Sequence, residues 1–81
     1  MAKGCYYMDK KTLREIGRGL WQLRVERHMY LKSVAYQTNI PHRIIEGMEI
    51  GKFIQYTAFR RLLQFYGKNM KVVFGSDIFL F

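Results

Sequence analysis

The chain has one cysteine, one proline and only six acidic residues among its 81. A single cysteine, Cys5, excludes an internal disulfide, and no cysteine and histidine cluster has the spacing of a zinc site. We therefore expect neither a metal nor a cofactor, and this cysteine usage suits the reducing cytoplasm. No apolar run is long enough for a signal peptide or for a membrane span. The sequence predicts no export and no membrane anchor.

Groups that could support catalysis are also scarce. His28 and His42 fall on different predicted elements, and Cys5 lies in a segment that we expect to be frayed. There is no glycine-rich phosphate loop and no cluster of carboxylates. A chain of this length forms one domain with little room for a catalytic cleft beside a core. The sequence favours a binding module over an enzyme.

Apolar and basic residues are abundant by contrast. About half of the chain is hydrophobic and 16% is aromatic, which indicates a folded protein with a core. Fourteen lysines and arginines give a formal net charge of +8. Such a field attracts polyanions and raises their encounter rate. Nucleic acid or an anionic surface is the expected partner, and the alternative is that the charge only keeps the protein in solution.

Apolar residues at intervals of three and four predict a first helix from about Asp9. Asp9 could cap it, or Thr12 could do so in a capping box with Glu15. The predicted apolar stripe of this helix comprises Leu13, Ile16, Leu20 and Leu23.

Two short helices separated by a tight turn are predicted next. The first covers 31–38 and is followed by Asn39, which tolerates the left-handed conformation of a turn. The second covers 41–49, because Pro41 suits a first helical turn, where its missing N–H would have no intrahelical partner. With Ile45 and Met48 directed inward, the outer face is expected to hold His42, Arg43, Glu46 and Gly47. This arrangement is typical of helix-turn-helix proteins.

A fourth helix and a β extension complete the predicted fold. The apolar stripe of the helix comprises Tyr56, Phe59, Leu62, Leu63 and Tyr66, and Gly67 is its expected stop. The last segment, MKVVFGSDIFLF, contains two β-favouring runs around Gly75, Ser76 and Asp77, which predicts a strand or a hairpin. We therefore divide the chain into a helical domain over 1–68 and a C-terminal β extension over 69–81.

The stretch IGRGLWQLRVERHMYLKSVAYQTNIPHRIIEGMEIGK resembles the XRE, or lambda repressor-like, family of DNA-binding domains, and the resemblance continues to about Gly67. Its carriers are Ile16, Gly17, Leu20, Leu23, Arg24, Met29, Val34, Ala35, Ile40, Ile45, Met48, Glu49, Gly51 and Lys52. The resemblance implies a mainly α fold, a compact four-helix lambda repressor-like helix-turn-helix domain, here with a C-terminal β-strand or hairpin.

In this family the third helix enters the major groove of double-stranded DNA, and residues near its N-terminus reach base edges. The implied base contacts are His42, Arg43, Glu46 and Gly47. At the DNA backbone we expect Lys32, Tyr36 and Lys52 to act in place of two polar phosphate contacts of the family pattern that this sequence lacks. Arg43 suits the task best because it can donate two hydrogen bonds to guanine, while Glu46 could accept from cytosine or pair with Arg43. Gly47 indicates either close approach of DNA or an early end to the helix.

The resemblance also implies a structural salt bridge between Arg24 and Glu49. Three positions depart from the family pattern: Leu31 replaces a glutamine that contacts the DNA backbone, Asn39 replaces glycine, and Pro41 replaces a serine or threonine cap. These departures leave degenerate DNA binding open as an alternative.

The β extension needs a cover, because an isolated two-stranded ribbon with apolar side chains is only marginally stable in water. Pairing with a second copy is the simplest solution, and the alternative is packing on the chain's own helical core. The predicted dimer interface comprises Val72, Val73, Phe74, Ile78 and Phe79. Such a homodimer would place two third helices about one DNA turn apart.

Three functional hypotheses follow. The first is a sequence-specific DNA-binding transcriptional regulator, such as a repressor or an autorepressing antitoxin, acting as a homodimer in the cytoplasm at the nucleoid. The second is a protein-interaction module that holds a partner such as a toxin through its phenylalanine-rich tail and binds DNA weakly or non-specifically. The third is charge-driven, non-specific binding to polyanions or anionic membranes.

Overall fold

The computed structural model describes residues 5–6, 9–68, 70–72 and 78–80. Within these ranges it is mainly helical, which confirms the predicted small helical fold. The helices are α1 (Lys10–Glu26), α2 (Leu31–Thr38), α3 (His42–Glu49) and α4 (Tyr56–Phe65). The short strands are β1 (Cys5–Tyr6), β2 (Ile54–Gln55), β3 (Met70–Val72) and β4 (Ile78–Leu80).

Helix α1 begins and ends at residues with clear local causes. The Thr12 N–H donates to Asp9 Oδ1 at 2.9 Å and the Thr12 hydroxyl donates to Asp9 Oδ2 at 3.1 Å, so Asp9 is the N-cap. These hydrogen bonds favour the ionised carboxylate and lower the pKa of Asp9. The helix is followed by His28, whose φ of 54° lies in the left-handed region. The chain therefore leaves α1 in a sharp turn before α2 begins.

Helices α2 and α3 are joined by three residues. Asn39 has a φ of 59°, which lies in the left-handed region. Asparagine tolerates this conformation better than most other non-glycine residues. Pro41 is the N-cap of α3, with φ −55° and ψ 135°, so α3 begins one residue later than predicted. Because proline offers no side-chain acceptor, Pro41 itself does not cap the first N–H groups of α3.

One apolar core is shared by all four helices. The predicted stripes of α1 and α4 face it, except that Leu23 is only partly buried and Tyr56, at the start of α4, is exposed. Val34 from α2 and the pair Ile45 and Met48 from α3 complete its centre. The buried set is Leu13, Ile16, Leu20, Val34, Ile40, Ile45, Met48, Ile54, Ala58, Phe59, Leu62, Leu63 and Tyr66.

The N-terminal segment is not frayed at Cys5. Strand β1 pairs antiparallel with β2, with Cys5 opposite Gln55 and Tyr6 opposite Ile54. The prediction failed because two residues are too few to show the alternation that marks a strand. Strand β2 lies between α3 and α4, so this pairing ties the start of the chain to its middle.

The C-terminal strands β3 and β4 pair antiparallel, with Met70 opposite Leu80 and Val72 opposite Ile78. Residues 73–77, which would form the turn of the predicted hairpin, lie outside the described residues, so the hairpin stays a prediction. Of the predicted dimer interface, Val73 and Phe74 lie outside the described residues as well. In the described ranges, no helix has the length and apolarity that crossing a bilayer requires.

Helix α1 crosses α3 at very short range through Gly17. A Cβ atom at Gly17 would lie 2.5 Å from the backbone oxygens of both Met48 and Glu49. Only a residue without a side chain allows the two backbones to approach so closely. Gly17 therefore sets the distance between α1 and the C-terminal end of α3.

We expect Gly17→Ala to lower the free energy of unfolding by about 1–3 kcal/mol, because the new methyl group meets rigid backbone atoms. Urea denaturation at neutral pH measures the change. Glu15→Ala is the control, since Glu15 lies in the same helix and is exposed. The control should be nearly neutral, because glutamate and alanine both favour helices. Equal stability of the two variants would contradict the proposed close crossing.

Candidate nucleic-acid interface

The outer side of α3 presents one narrow stripe of side chains. At about 100° per residue, His42, Glu46, Ile50 and Arg43 fall within an arc of about 100°. All four are exposed, and Ile50 is the C-cap residue, with 58% of its surface exposed. We call these four residues the α3 stripe. It combines an imidazole, a guanidinium, a carboxylate and an aliphatic side chain on one edge of a short helix.

Gly47 does not belong to this stripe, contrary to prediction. It is buried, and a Cβ atom there would lie 2.6 Å from Cε2 and Cζ of Phe53. Helix α3 also continues to Glu49, so Gly47 does not end it. The physical reason for the glycine is the Phe53 ring, which folds back from the following segment and occupies the space of a side chain. The prediction that Gly47 lies on the outer face is wrong.

Ile50 is the member of the stripe that the sequence-based prediction missed. It lies one residue beyond the predicted helix, although it follows His42 and Glu46 at the regular spacing i, i+4, i+8. That spacing was the available signal.

The carboxylate of Glu46 is free of the intrahelical pairing considered above. Within residues 9–68 the salt bridge joins Arg24 to Glu49, and none joins Arg43 to Glu46. Arg43 and Glu46 are therefore exposed side chains that no salt bridge within this range joins to each other.

The side chains expected to contact the DNA backbone are exposed around α3. Lys32 and Tyr36 lie four residues apart on α2 and share one face, and Tyr36 is 88% exposed. Lys52 is exposed directly after Gly51, whose φ of 82° turns the chain at the end of α3. Leu31, in contrast, is partly buried and packs on the core.

A bidentate salt bridge holds the C-terminal end of α3. Arg24 donates from Nε to Glu49 Oε2 at 2.8 Å and from Nη2 to Glu49 Oε1 at 2.9 Å. Its Nη1 donates to the carbonyl oxygen of Met29 at 3.0 Å. The two side chains are only 15% and 6% exposed, and the hydrogen bonds to Glu49 raise the pKa of Arg24. One guanidinium thus connects α1, the α1–α2 turn and α3.

A second arginine ties α1 to the end of α4. The Arg27 guanidinium lies 5.2 Å from the centroid of the Tyr66 ring, and its Nη2 donates to the Tyr66 carbonyl oxygen at 2.6 Å. The Tyr66 hydroxyl is buried and, in the described part of the chain, has no hydrogen-bond partner. Burial raises the pKa of Tyr66 to about 12, since a phenolate would lose its hydration there.

No cluster of three or more histidine, cysteine, aspartate or glutamate residues that could hold a metal ion occurs among the residues described. Comparisons of the chain with protein-family models, curated proteins and solved structures find no match. The similarity to the XRE family therefore rests on the ordered residues quoted above and stays a prediction.

Breaking the Arg24–Glu49 bridge from one side should strand a buried charge. We expect Arg24→Met to lower the free energy of unfolding by about 3–5 kcal/mol. The double variant Arg24→Met and Glu49→Met should lose much less than the sum of its two single variants, because no unpaired charge remains. A double-mutant cycle in urea measures this coupling. Additive losses would show that the two side chains do not stabilise each other.

Tyr66 should make the protein less stable at high pH. Because the folded state holds the phenolic proton more tightly, its contribution is complete below pH 10 and falls as the pH rises towards 12. Tyr66→Phe should remove this part of the pH dependence. Tyr36→Phe, at an exposed tyrosine, is the control and should keep the parent profile between pH 9 and 12 in urea denaturation. Identical profiles for both variants would contradict the assignment to Tyr66.

Proposed function

We propose that the protein is a sequence-specific, double-stranded DNA-binding transcriptional regulator of the helix-turn-helix class. The observation that carries this proposal is the α3 stripe, a set of chemically different side chains on the exposed edge of a short helix that the core and a salt bridge hold in place. An α-helix fits the major groove, which is about 12 Å wide.

The chemistry of the stripe favours base reading over simple charge attraction. Arg43 can donate two hydrogen bonds to guanine, Glu46 can accept from cytosine N4, and His42 can bond a base or a phosphate. Ile50 adds an aliphatic group of the kind that contacts a thymine methyl. A carboxylate at the centre of the stripe would be repelled by phosphates, so a purely non-specific surface would not place Glu46 there.

Basic and hydroxyl groups are exposed on the segments that precede and follow α3. Lys32 and Tyr36 on α2 and Lys52 after α3 are exposed and suit contacts to phosphate oxygens. Pro41 offers no side-chain cap to the first N–H groups of α3, and such groups attract anions. The net charge of +8 supports encounter with DNA.

The proposed regulator acts as a homodimer through its β extension. A two-stranded ribbon is marginally stable alone, and a second copy would cover it. The proposed hairpin would carry the interface residues Val72, Val73, Phe74, Ile78 and Phe79. Two copies of α3 about one DNA turn apart would read a near-palindromic site. Repression, including autorepression by an antitoxin in the cytoplasm, is the regulatory role that we propose.

One observation supports a second candidate function. Trp21 and Val25 are four residues apart on α1, and each exposes close to half of its surface. An exposed tryptophan beside an aliphatic residue is typical of a protein contact. A protein-interaction module, for example one that binds a toxin, would contact its partner through Trp21 and Val25. Its binding to DNA would then be weak or non-specific.

Selection of bound fragments from a random-duplex pool at physiological salt tests the leading proposal. A two-fold-symmetric motif with half-sites about one turn apart would support both DNA reading and the dimer. Salt-sensitive binding without any motif would contradict the proposal and favour the interaction module.

Arg43→Ala should weaken binding to the selected site by about 1–3 kcal/mol and relax discrimination at one base pair. Lys52→Ala is the contrasting variant, and it should weaken binding to specific and random duplexes alike. Titrations of both variants against the selected site and its single-base variants give these values. An equal loss for Arg43→Ala on every sequence would make Arg43 a phosphate contact instead.

A further inference from the structure

A second polar surface lies on α4, apart from the α3 stripe. Its residues line a shallow depression of about 240 Å³. We call them the α4 face: Tyr56, Thr57, Arg60, Arg61 and Gln64. Tyr56, Arg60 and Gln64 have the spacing i, i+4 and i+8, and Thr57 and Arg61 lie beside them on the same exposed side of the helix. Phe59, Leu62 and Leu63 lie on the opposite, buried side.

The two guanidinium groups of this face are oriented but not neutralised. The Arg60 guanidinium carbon lies 5.7 Å from the centroid of the Tyr56 ring, and Arg61 Nη1 donates to the carbonyl oxygen of Thr38 at 3.4 Å. Among the described residues, neither Arg60 nor Arg61 forms a salt bridge. Since each guanidinium carries five N–H groups, most of these donors are available to a ligand.

No negative charge lies nearby in the sequence. From Ile50 to Ser76 the chain contains no aspartate or glutamate. Its charged residues in that range are all basic: Lys52, Arg60, Arg61, Lys68 and Lys71. The α4 face therefore carries a positive potential that nothing on its own helix cancels.

We propose that the α4 face binds phosphate groups of a nucleic-acid backbone. Planar guanidinium groups match phosphate oxygens in a bidentate manner, and the Thr57 hydroxyl and Gln64 amide add further donors. The one aromatic side chain of the face, Tyr56, lies beside the Arg60 guanidinium, whereas the exposed apolar pair that suits a protein partner, Trp21 and Val25, lies on α1. Phosphodiester oxygens are therefore its ligand class.

The position of the α4 face indicates that its phosphates belong to the same duplex that contacts the α3 stripe. This inference rests on the proposed DNA-binding function. The hydrogen bond from Arg61 to Thr38 places one edge of the face at the end of α2, beside the turn that leads into α3. A duplex in contact with the α3 stripe would continue past this edge. The α4 face would then hold phosphates that flank the bases read by α3.

The salt dependence of binding tests the site. Arg60→Gln together with Arg61→Gln, made in the full chain, should reduce the slope of log affinity against log salt on duplex DNA by about two for each bound protomer. Lys11→Gln with Arg18→Gln is the control, because it removes the same charge from exposed positions on α1 and should keep the parent slope. Arg60→Lys with Arg61→Lys should keep most of the slope. Circular dichroism confirms that each variant is folded.

Equal slopes for the parent and the Arg60→Gln and Arg61→Gln variant would overturn the inference, and so would an equal loss in the control. The fragment selection tests the proposed function separately from the salt slope. If the selection recovers no motif, the slope can still be measured on random duplex. A loss of slope there supports the phosphate site even without sequence reading.

Two duplex lengths around the selected site distinguish the sources of phosphate. If one duplex contacts both surfaces, the parent should bind the longer duplex more tightly, and the Arg60→Gln and Arg61→Gln variant should not. If duplex length has no effect, the phosphates at the α4 face come from a separate ligand. Competition of inorganic phosphate, or of a second duplex, with binding at the α4 face would identify that ligand. Absence of both the length effect and the competition would overturn the inference.

Discussion

The orientation of α3 depends on its contact with α1. At one point the contact is steric, because Gly17 lets the backbone of α1 approach the carbonyl oxygens of Met48 and Glu49. At the other it is electrostatic, because Arg24 holds both carboxylate oxygens of Glu49. A bidentate pair constrains distance and angle together, whereas apolar packing alone is non-directional. The two contacts therefore determine how α3 projects from the core and which of its residues meet solvent.

This constraint links stability to the proposed function. The bridge is largely buried and holds the C-terminal end of α3, so a variant that breaks it would disturb binding through loss of structure rather than through loss of a DNA contact. The stripe combines donors, an acceptor and an aliphatic group, which base reading requires. The α4 face is uniformly basic, which suits phosphates. Specificity and affinity would thus come from different helices of one small domain.

Much of the helical framework could be predicted from the sequence because its signals are local. Spacings of three and four located the α1 and α4 stripes, and Asn39 indicated the turn between α2 and α3. The boundary at Pro41 was displaced by one residue, since the fixed φ of proline is compatible with both the N-cap and the first helical position. For the candidate site, periodicity identified His42, Arg43 and Glu46 as outward-facing but included Gly47 and omitted Ile50.

The sequence by itself determined which helix faces are apolar and that the chain is basic, because side-chain chemistry and a period of 3.6 residues are properties of the local chain. Only the tertiary structure decided which neighbour covers each position. Phe53 buries Gly47, β1 pairs with β2 across about fifty residues, and Arg61 reaches the end of α2. These contacts join segments distant in the chain, and local periodicity carries no information about such partners.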